Sequence, residues 1–176
     1  PSDRDKAVVN LLRYHDVSGA IVFCNTRVAV THLASRLTNR GFSVVALSGE
    51  LSQKERNFAL QSMRAGKANV CVATDVAARG IDLPNLELVI HADLPQSNEA
   101  MLHRSGRTGR AGRKGVSVVL IPNRNFKKVE RMFESNGIEA SWVAPPSADQ
   151  IIEKDRISLL KSELLTSPAD ASEVEI

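Results

Sequence analysis

Aromatic residues, cysteines and long apolar runs are scarce in this chain of 176 residues. Aromatic side chains make up 4% of the sequence, which argues against nucleic-acid binding by rows of stacking aromatics. The two cysteines, Cys24 and Cys71, lie in apolar runs with no second Cys or His at ligand spacing, so we expect buried reduced thiols and no metal site. No apolar run approaches a membrane span and no signal peptide is visible. The scarcity of aromatic residues predicts an aliphatic core. The other absences favour a protein of the reducing cytoplasmic compartment.

Charge is distributed unevenly along the chain. The formal net charge is +3, but residues 147–176 carry seven acids and three bases, which leaves a charge of +7 on residues 1–146. A basic body with an acidic tail predicts an anionic partner for the body.

Short apolar runs alternate with segments of helical spacing. This alternation predicts an α/β fold with a parallel sheet and helices on both faces. A Pro-Pro pair at 145–146 predicts a boundary between a domain at 1–144 and an extension at 145–176, made of a helix over 148–165 and an acidic tail. The predicted strands are 20–24, 44–47, 69–73, 86–91 and 116–121, and the predicted helices are 28–40, 52–66, 97–104 and 126–135.

The densest motif is residues 103–110 (HRSGRTGR). Glycine allows the backbone to approach a ligand closely, and the planar arginine fork suits phosphate oxygens. Such a loop predicts contact with a polyphosphate, where an arginine finger contributes roughly 10³–10⁵ in rate during phosphoryl transfer. Taken alone, the motif is equally typical of a flexible basic loop that touches nucleic acid without specificity.

Three further motifs precede this one: residues 21–27 (IVFCNTR), 52–56 (SQKER) and 73–82 (ATDVAARGID). Together the four closely resemble motifs IV, IVa, V and VI of the DEAD-box RNA helicases, of bacterial type, over about residues 19–122. Ser105 stands where the family usually has isoleucine, and residues 48–50 (SGE) stand where His-Gly-Asp is common. The resemblance implies a RecA-like fold that binds ATP and RNA.

The resemblance implies roles for the nucleotide-binding residues. Arg107 and Arg110 match the arginine fingers, and His103 matches a residue that couples the two helicase domains. Gly80 and Asp82 match the motif that binds the nucleotide ribose, although Asp82 could instead cap the following turn.

The resemblance also implies contacts to the RNA backbone. Gln53 and Arg56 lie three residues apart at the start of a predicted helix, whose free N–H groups suit a phosphate. Arg79 could instead brace the interface internally. Contacts of this kind grip sugar and phosphate, so we expect little sequence preference. The complete set of expected RNA contacts is Asn25, Arg27, Gly49, Gln53, Arg56, Thr74 and Arg79.

Neither a Walker A loop nor an Asp-Glu-Ala-Asp run occurs in the chain, which begins with Pro1 rather than Met. The resemblance therefore implies the second of two RecA-like domains, with the phosphate cradle and the Mg²⁺ ligands on a missing N-terminal domain. We expect this fragment alone to be inactive and the whole protein to be an ATP-dependent RNA helicase. A stand-alone RNA-binding module is one alternative. Half of a DNA translocase is another, disfavoured by His103, where several DNA helicases carry Gln.

The predicted helix over 148–165 leaves two alternatives open. Some bacterial DEAD-box proteins continue here into a dimerisation region, and this stretch resembles the beginning of one. The other alternative is a terminal helix that docks on its own domain.

Overall fold

The computed structural model describes residues 2–83, 86–109 and 114–166, and its centre is a parallel sheet. Five strands of four residues pair in the order β2-β3-β1-β4-β5, all parallel. The strands lie where the sequence predicts them and are up to two residues shorter at their ends. They are β1 (Ala20–Phe23), β2 (Val44–Leu47), β3 (Val70–Ala73), β4 (Leu88–His91) and β5 (Val116–Val119).

Seven α-helices surround the sheet in the described part of the chain. Two of them, the first and the fourth, were not predicted; the fourth has only four residues, too few for a helical repeat to be visible. The helices are α1 (Ser2–His15), α2 (Arg27–Thr38), α3 (Gln53–Arg64), α4 (Asp75–Ala78), α5 (Asn98–Ser105), α6 (Phe126–Ser135) and α7 (Ala148–Thr166), with a 3₁₀ turn at Asn123–Asn125.

The core is divided between the two faces of the sheet. Alternate residues of β1 point to opposite faces: Val22 belongs to the cluster that includes α1 and α2, and Phe23 to the cluster that includes α3 and α4. A third, smaller cluster joins α5 and α6 through Met101 and Phe133. The prediction of an α/β fold with helices on both faces is therefore confirmed.

Side-chain caps define where α2 and α3 begin. The Thr26 hydroxyl accepts from the Ala29 amide at 3.1 Å, and Ser52 and Glu55 form a reciprocal capping box at the start of α3. The predicted helix over 28–40 ends at Thr38, earlier than expected, and the chain turns at Gly41 with a φ of +88°.

Helix α7 docks on α1 through its first half. Ile151 is 7% exposed, and the Lys154 ammonium donates to the Tyr14 carbonyl and lies 4.5 Å from the centre of the Tyr14 ring. Asn10 of α1 also donates to the Pro146 carbonyl at 2.8 Å. The docked alternative therefore describes this half, whereas Ile152 remains exposed on the outer side.

Both cysteines are free and buried, as expected from their apolar surroundings. Burial raises the pKa of the Cys24 and Cys71 thiols to about 12, so both remain protonated at neutral pH. No helix in the described ranges is both long enough and apolar enough to cross a membrane.

The neighbouring residues Ile151 and Ile152 provide a matched test of α7 docking. Ile151→Ala should weaken docking by about 2 kcal/mol, because a buried aliphatic side chain is lost. Ile152→Ala should change it by less than about 0.5 kcal/mol, because Ile152 is 64% exposed. Hydrogen exchange of the α7 amides measures both changes, and the loss in Ile151→Ala corresponds to roughly 30-fold faster exchange than in the wild type. Equal exchange in the two variants would show that α7 is not held by this contact.

Candidate nucleotide and nucleic-acid interface

The predicted site residues gather at the carboxyl edge of the sheet. The last residues of the first four strands are in register, so the segments that follow them start side by side. Asn25 follows β1, Gly49 follows β2 and Thr74 follows β3. This is the edge at which open parallel sheets bind ligands.

A buried arginine, Arg104, joins these segments. It lies on α5, is 1% exposed, and donates to both carboxylate oxygens of Asp75 at 2.7 and 2.6 Å. It also donates to the Asp93 carbonyl and to Asn25 Oδ1, each at 2.8 Å. One guanidinium therefore connects α5 to the chain segments after β1, β3 and β4.

Asn25 and Asp93 extend this network. The backbone N–H of Asn25 donates to the Asp93 carboxylate at 2.9 Å, and the side-chain Nδ2 of Asn25 donates to the Leu94 carbonyl at 3.0 Å. Arg4 of α1 donates to the same carboxylate at 2.6 Å. The Asn25 side chain, predicted to contact RNA, is thus engaged within the domain on both its oxygen and its nitrogen.

Sequence reasoning missed Arg104 although it lies inside the densest motif. The neighbouring glycines single out Arg107 and Arg110 as exposed ligand contacts, whereas nothing adjacent to Arg104 does so. A signal was available, since Arg104 lies three residues after the buried Met101 and therefore on the inner side of α5.

Arg107 connects the two loops predicted to bind the nucleotide. Its Nη1 donates to the Ile81 carbonyl at 2.8 Å, between Gly80 and Asp82 in the chain. Gly80 has a φ of +70°, and Arg64 of α3 donates to the Asp82 carbonyl at 3.1 Å. The Asp82 side chain is exposed, and its carboxylate accepts no hydrogen bond from the part of the chain that the structure describes.

The loop after α5 is held down by Thr108, whose hydroxyl donates to the Leu86 carbonyl at 2.6 Å. Gly115 passes so close that a Cβ there would lie 1.9 Å from Thr108 Oγ1 and 2.6 Å from the Gly109 nitrogen. Position 115 therefore requires glycine. Arg110, the second predicted arginine finger, lies outside the described residues.

His103 is on the exposed side of α5, with Nε2 4.0 Å from the Glu99 carboxylate. This placement leaves the imidazole accessible to another domain. Its coupling role stays a prediction.

Arg56, predicted to bind an RNA phosphate, has internal partners. Its Nη2 donates to the Ala77 carbonyl at 2.6 Å and to the Arg79 carbonyl at 3.3 Å, so it holds α3 to the end of α4. Gln53 is exposed on the first turn of α3, where its Nε2 donates to Asn57 at 2.9 Å. The alternative role of Arg79, bracing the interface, stays a prediction.

The other predicted RNA contacts differ in how accessible they are. Arg27 is exposed and forms an ion pair with Glu50, next to the exposed Gly49. Thr74 is buried, and its hydroxyl caps α4 by accepting from the Ala77 amide at 3.3 Å. Arg79 is exposed, with no acidic partner for its guanidinium within the described ranges.

A second buried group, His91, stands at the end of β4. Its Nε2 lies 3.2 Å from Ser117 Oγ and 3.3 Å from Ser105 Oγ, and the two hydroxyls are 2.9 Å apart. Burial, followed by the charge of Arg104, lowers the pKa of this imidazole to about 3. Ser105, which departs from the usual isoleucine of its motif, thus belongs to a small polar cluster that ties α5 to β5.

Comparison with known proteins identifies the family. Residues 3–112 match the family described as helicase conserved C-terminal domain. The chain is 34% identical to the E. coli DEAD-box protein SrmB, solved in complex with the regulator of ribonuclease activity A, with a TM-score of 0.73 over 86% of this chain and 88% of that one. The chain therefore belongs to the C-terminal RecA-like domains of the DEAD-box helicases.

Longer relatives match over part of their length. The chain is 40% identical over 130 residues to the ATP-dependent RNA helicase FAL1 of Chaetomium globosum, covering 74% of this chain and 32% of FAL1. It is 35% identical over 143 residues to DeaD of Buchnera aphidicola, covering 81% of this chain and 24% of DeaD. S. cerevisiae Dbp5 bound to RNA and ADP BeF3 superposes with a TM-score of 0.73 at 27% identity, over 93% of this chain and 42% of that one. The chain thus spans about a third or less of the curated relatives it matches.

The lowered pKa of His91 predicts a specific loss of stability in acid. The unfolded chain takes up this proton near pH 6.5, whereas the folded chain does so only near pH 3, so stability falls as the pH drops through this window. Between pH 7 and pH 5 the loss from this group is about 2 kcal/mol. His91→Asn should remove this loss. Urea unfolding of both proteins at the two pH values measures it, and parallel losses in wild type and variant would contradict the assignment.

Proposed function

We propose that the intact protein is an ATP-dependent RNA helicase that separates short duplexes, and that this chain is its second RecA-like domain. The family membership supports this proposal, as do relatives that are named ATP-dependent RNA helicases. ATP would bind between this domain and an N-terminal RecA-like domain outside the chain. We further propose that the helicase unit is residues 1–144, that residues 145–176 are an extension, and that the protein is cytoplasmic and of bacterial type.

The contact between Arg107 and the Ile81 carbonyl is the observation that carries the nucleotide assignment. It places the arginine loop beside the Gly80 and Asp82 loop at one edge of the sheet. We propose that Arg107, with Arg110, approaches the γ-phosphate of ATP held by the other domain.

The remaining nucleotide contacts follow from chemistry at the same edge. The exposed carboxylate of Asp82 suits ribose hydroxyls, and the exposed His103 would be accessible to a partner domain. We propose that ATP binds with Mg²⁺, whose ligands lie on the N-terminal domain. Asp75, a carboxylate beside the site in this chain, already binds Arg104 through both oxygens, so it fits a structural role better than a metal ligand.

The RNA backbone would bind across the segments after β1, β2 and β3. The first turn of α3 supplies free amide groups and Gln53, and the exposed Arg27 and Arg79 supply charge. Gly49 allows a close approach because nothing lies within 4 Å of the position its Cβ would take. Asn25, Arg56 and Thr74 would act through their backbone or by holding these groups in place. The complex of Dbp5 with RNA and ADP BeF3 supports RNA as the partner.

A homodimer through the extension remains a second, narrower proposal. Ile152 and Leu160 of α7 are both half exposed or more on a helix whose other side docks on α1. Such side chains suit burial against another copy of the chain.

In the intact protein, Arg107→Ala should reduce RNA-stimulated ATP hydrolysis by a factor of about 10³ or more, because a cation at the transferred phosphoryl group is lost. RNA binding without nucleotide should change little. Arg107→Lys keeps the charge but lacks the planar fork, so it should restore only part of the rate. Hydrolysis is measured at saturating RNA, and binding by titration of labelled RNA.

Two controls belong to this experiment. Arg40→Ala removes an exposed arginine from the loop before β2, at the opposite edge of the sheet, and should leave both measurements unchanged. The 176-residue chain alone should not hydrolyse ATP, since the phosphate cradle is elsewhere. Near-normal hydrolysis with lost RNA binding in Arg107→Ala would favour a plain RNA-binding module instead.

A further inference from the structure

Helix α6 carries a stripe of positive charge on the side that faces away from the core. Val129 and Phe133 are buried against α5 and the sheet. Four cations lie on the other side of the helix, opposite to Val129 and Phe133. One belongs to the preceding 3₁₀ turn, and the three in α6 follow it by three, four and seven residues. They are Arg124, Lys127, Lys128 and Arg131, and all four are exposed.

Within the described ranges none of the four cations forms an ion pair or a side-chain hydrogen bond. Like charges at this spacing repel one another, and Glu130 and Glu134, three residues after Lys127 and Arg131, offset part of this repulsion. A polyanion laid along the stripe would relieve that repulsion.

Aromatic rings adjoin the stripe. Phe126 directly precedes Lys127, and its ring centre lies 4.7 Å from that of Trp142, which also packs 5.6 Å from Phe133. Trp142 is 43% exposed and Phe126 is 39% exposed. The chain has seven aromatic residues, five Phe, one Trp and one Tyr, so three of the seven gather at this place. The sequence has no row of aromatic residues, but this cluster offers a partly exposed aromatic surface on which one base can stack.

The stripe begins at the same edge of the sheet as the proposed RNA contacts. The 3₁₀ turn starts four residues after the end of β5, and α6 follows it directly. Strand β5 is four positions from β2 in the sheet, about 19 Å at the usual strand spacing. An RNA strand bound by the segments that follow β2 and β3 is therefore separated from the stripe on α6 by about the width of the sheet.

We propose that Arg124, Lys127, Lys128 and Arg131, together with Phe126 and Trp142, form a second binding surface for single-stranded RNA, here named the α6 surface. Cations that grip phosphates beside a ring that stacks a base are the combination by which single strands are bound. The α6 surface engages RNA beyond the segment held by the helicase motifs. This lengthens the bound strand and does not depend on ATP hydrolysis.

The fluorescence of Trp142 tests this proposal directly, because the chain has no other tryptophan. Oligouridylate of about 20 nucleotides should quench the fluorescence of Trp142 in the 176-residue chain. An oligomer of about four nucleotides should quench this fluorescence much less when both oligomers occupy the helicase motifs to the same extent. A blunt RNA duplex should quench weakly, because its bases are not free to stack.

Charge reversal supplies the matched comparison. Lys127→Glu with Lys128→Glu keeps good helix formers near the N-terminus of α6, where acids are favoured, so the variant should fold. It should abolish most of the quenching, weaken binding of the long oligomer at least roughly threefold, and reduce the salt slope by about 1.4, or about 0.7 for each lost phosphate contact. Arg40→Glu with Lys67→Glu makes the same charge change on exposed loops at the opposite edge of the sheet and should do none of this.

An unquenched Trp142, or quenching and a salt slope that survive the α6 reversal, would overturn the proposal and leave the stripe as a solvated face or a protein contact. Equal loss of binding in the control pair would show a general charge effect and would also overturn it. Neither result bears on the helicase assignment, since that is decided by ATP hydrolysis in Arg107→Ala. Conversely, the α6 surface would stand even if that hydrolysis proved normal.

Discussion

One buried cation, Arg104, holds together the segments that follow β1, β3 and β4 at the carboxyl edge of the sheet. A guanidinium that is 1% exposed cannot be hydrated, so it needs partners within the protein. It obtains them from Asp75, Asn25 and the Asp93 carbonyl, each of which follows a different strand. The ends of the strands determine where these segments begin. The hydrogen bonds to the Arg104 guanidinium determine how the segments are positioned relative to one another.

Other arginines at the same edge also hold chain segments in place by donating hydrogen bonds to backbone carbonyls. Arg56, Arg64 and Arg107 each donate to backbone carbonyls in residues 77–82, so the loop of residues 79–82 is held from two sides. Arginine suits this task because its five donors and fixed plane can reach several acceptors. The loop is consequently placed by contacts within the domain itself. Such preorganisation is what electrostatic stabilisation of a phosphoryl group requires.

The positions of the strands could be predicted from sequence because short β-branched runs between capped helices leave few alternatives. Helix α1 was not predicted, although Val8 and Leu12 recur at helical spacing and both pack in the core. The partners of Arg104 and Arg56 could not be predicted, because an arginine in a motif looks the same whether it meets a ligand or a carbonyl. Only the fold decides that Arg56 points to Ala77 and not outward. The pairing of Phe126 with Trp142 was equally invisible, since sixteen positions separate them and neither belongs to a repeat.

The central claim is that Arg104 and Asp75 act as a coupled pair that holds the edge together. A double-mutant cycle with Arg104→Met, Asp75→Asn and the combined variant, measured by urea unfolding at pH 7, tests it most directly. We predict a coupling energy of about 2 kcal/mol, because either single change leaves a charged hydrogen-bonding group without its partner. Additive losses, with a coupling energy near zero, would contradict the account and assign the placement of the edge to the sheet alone.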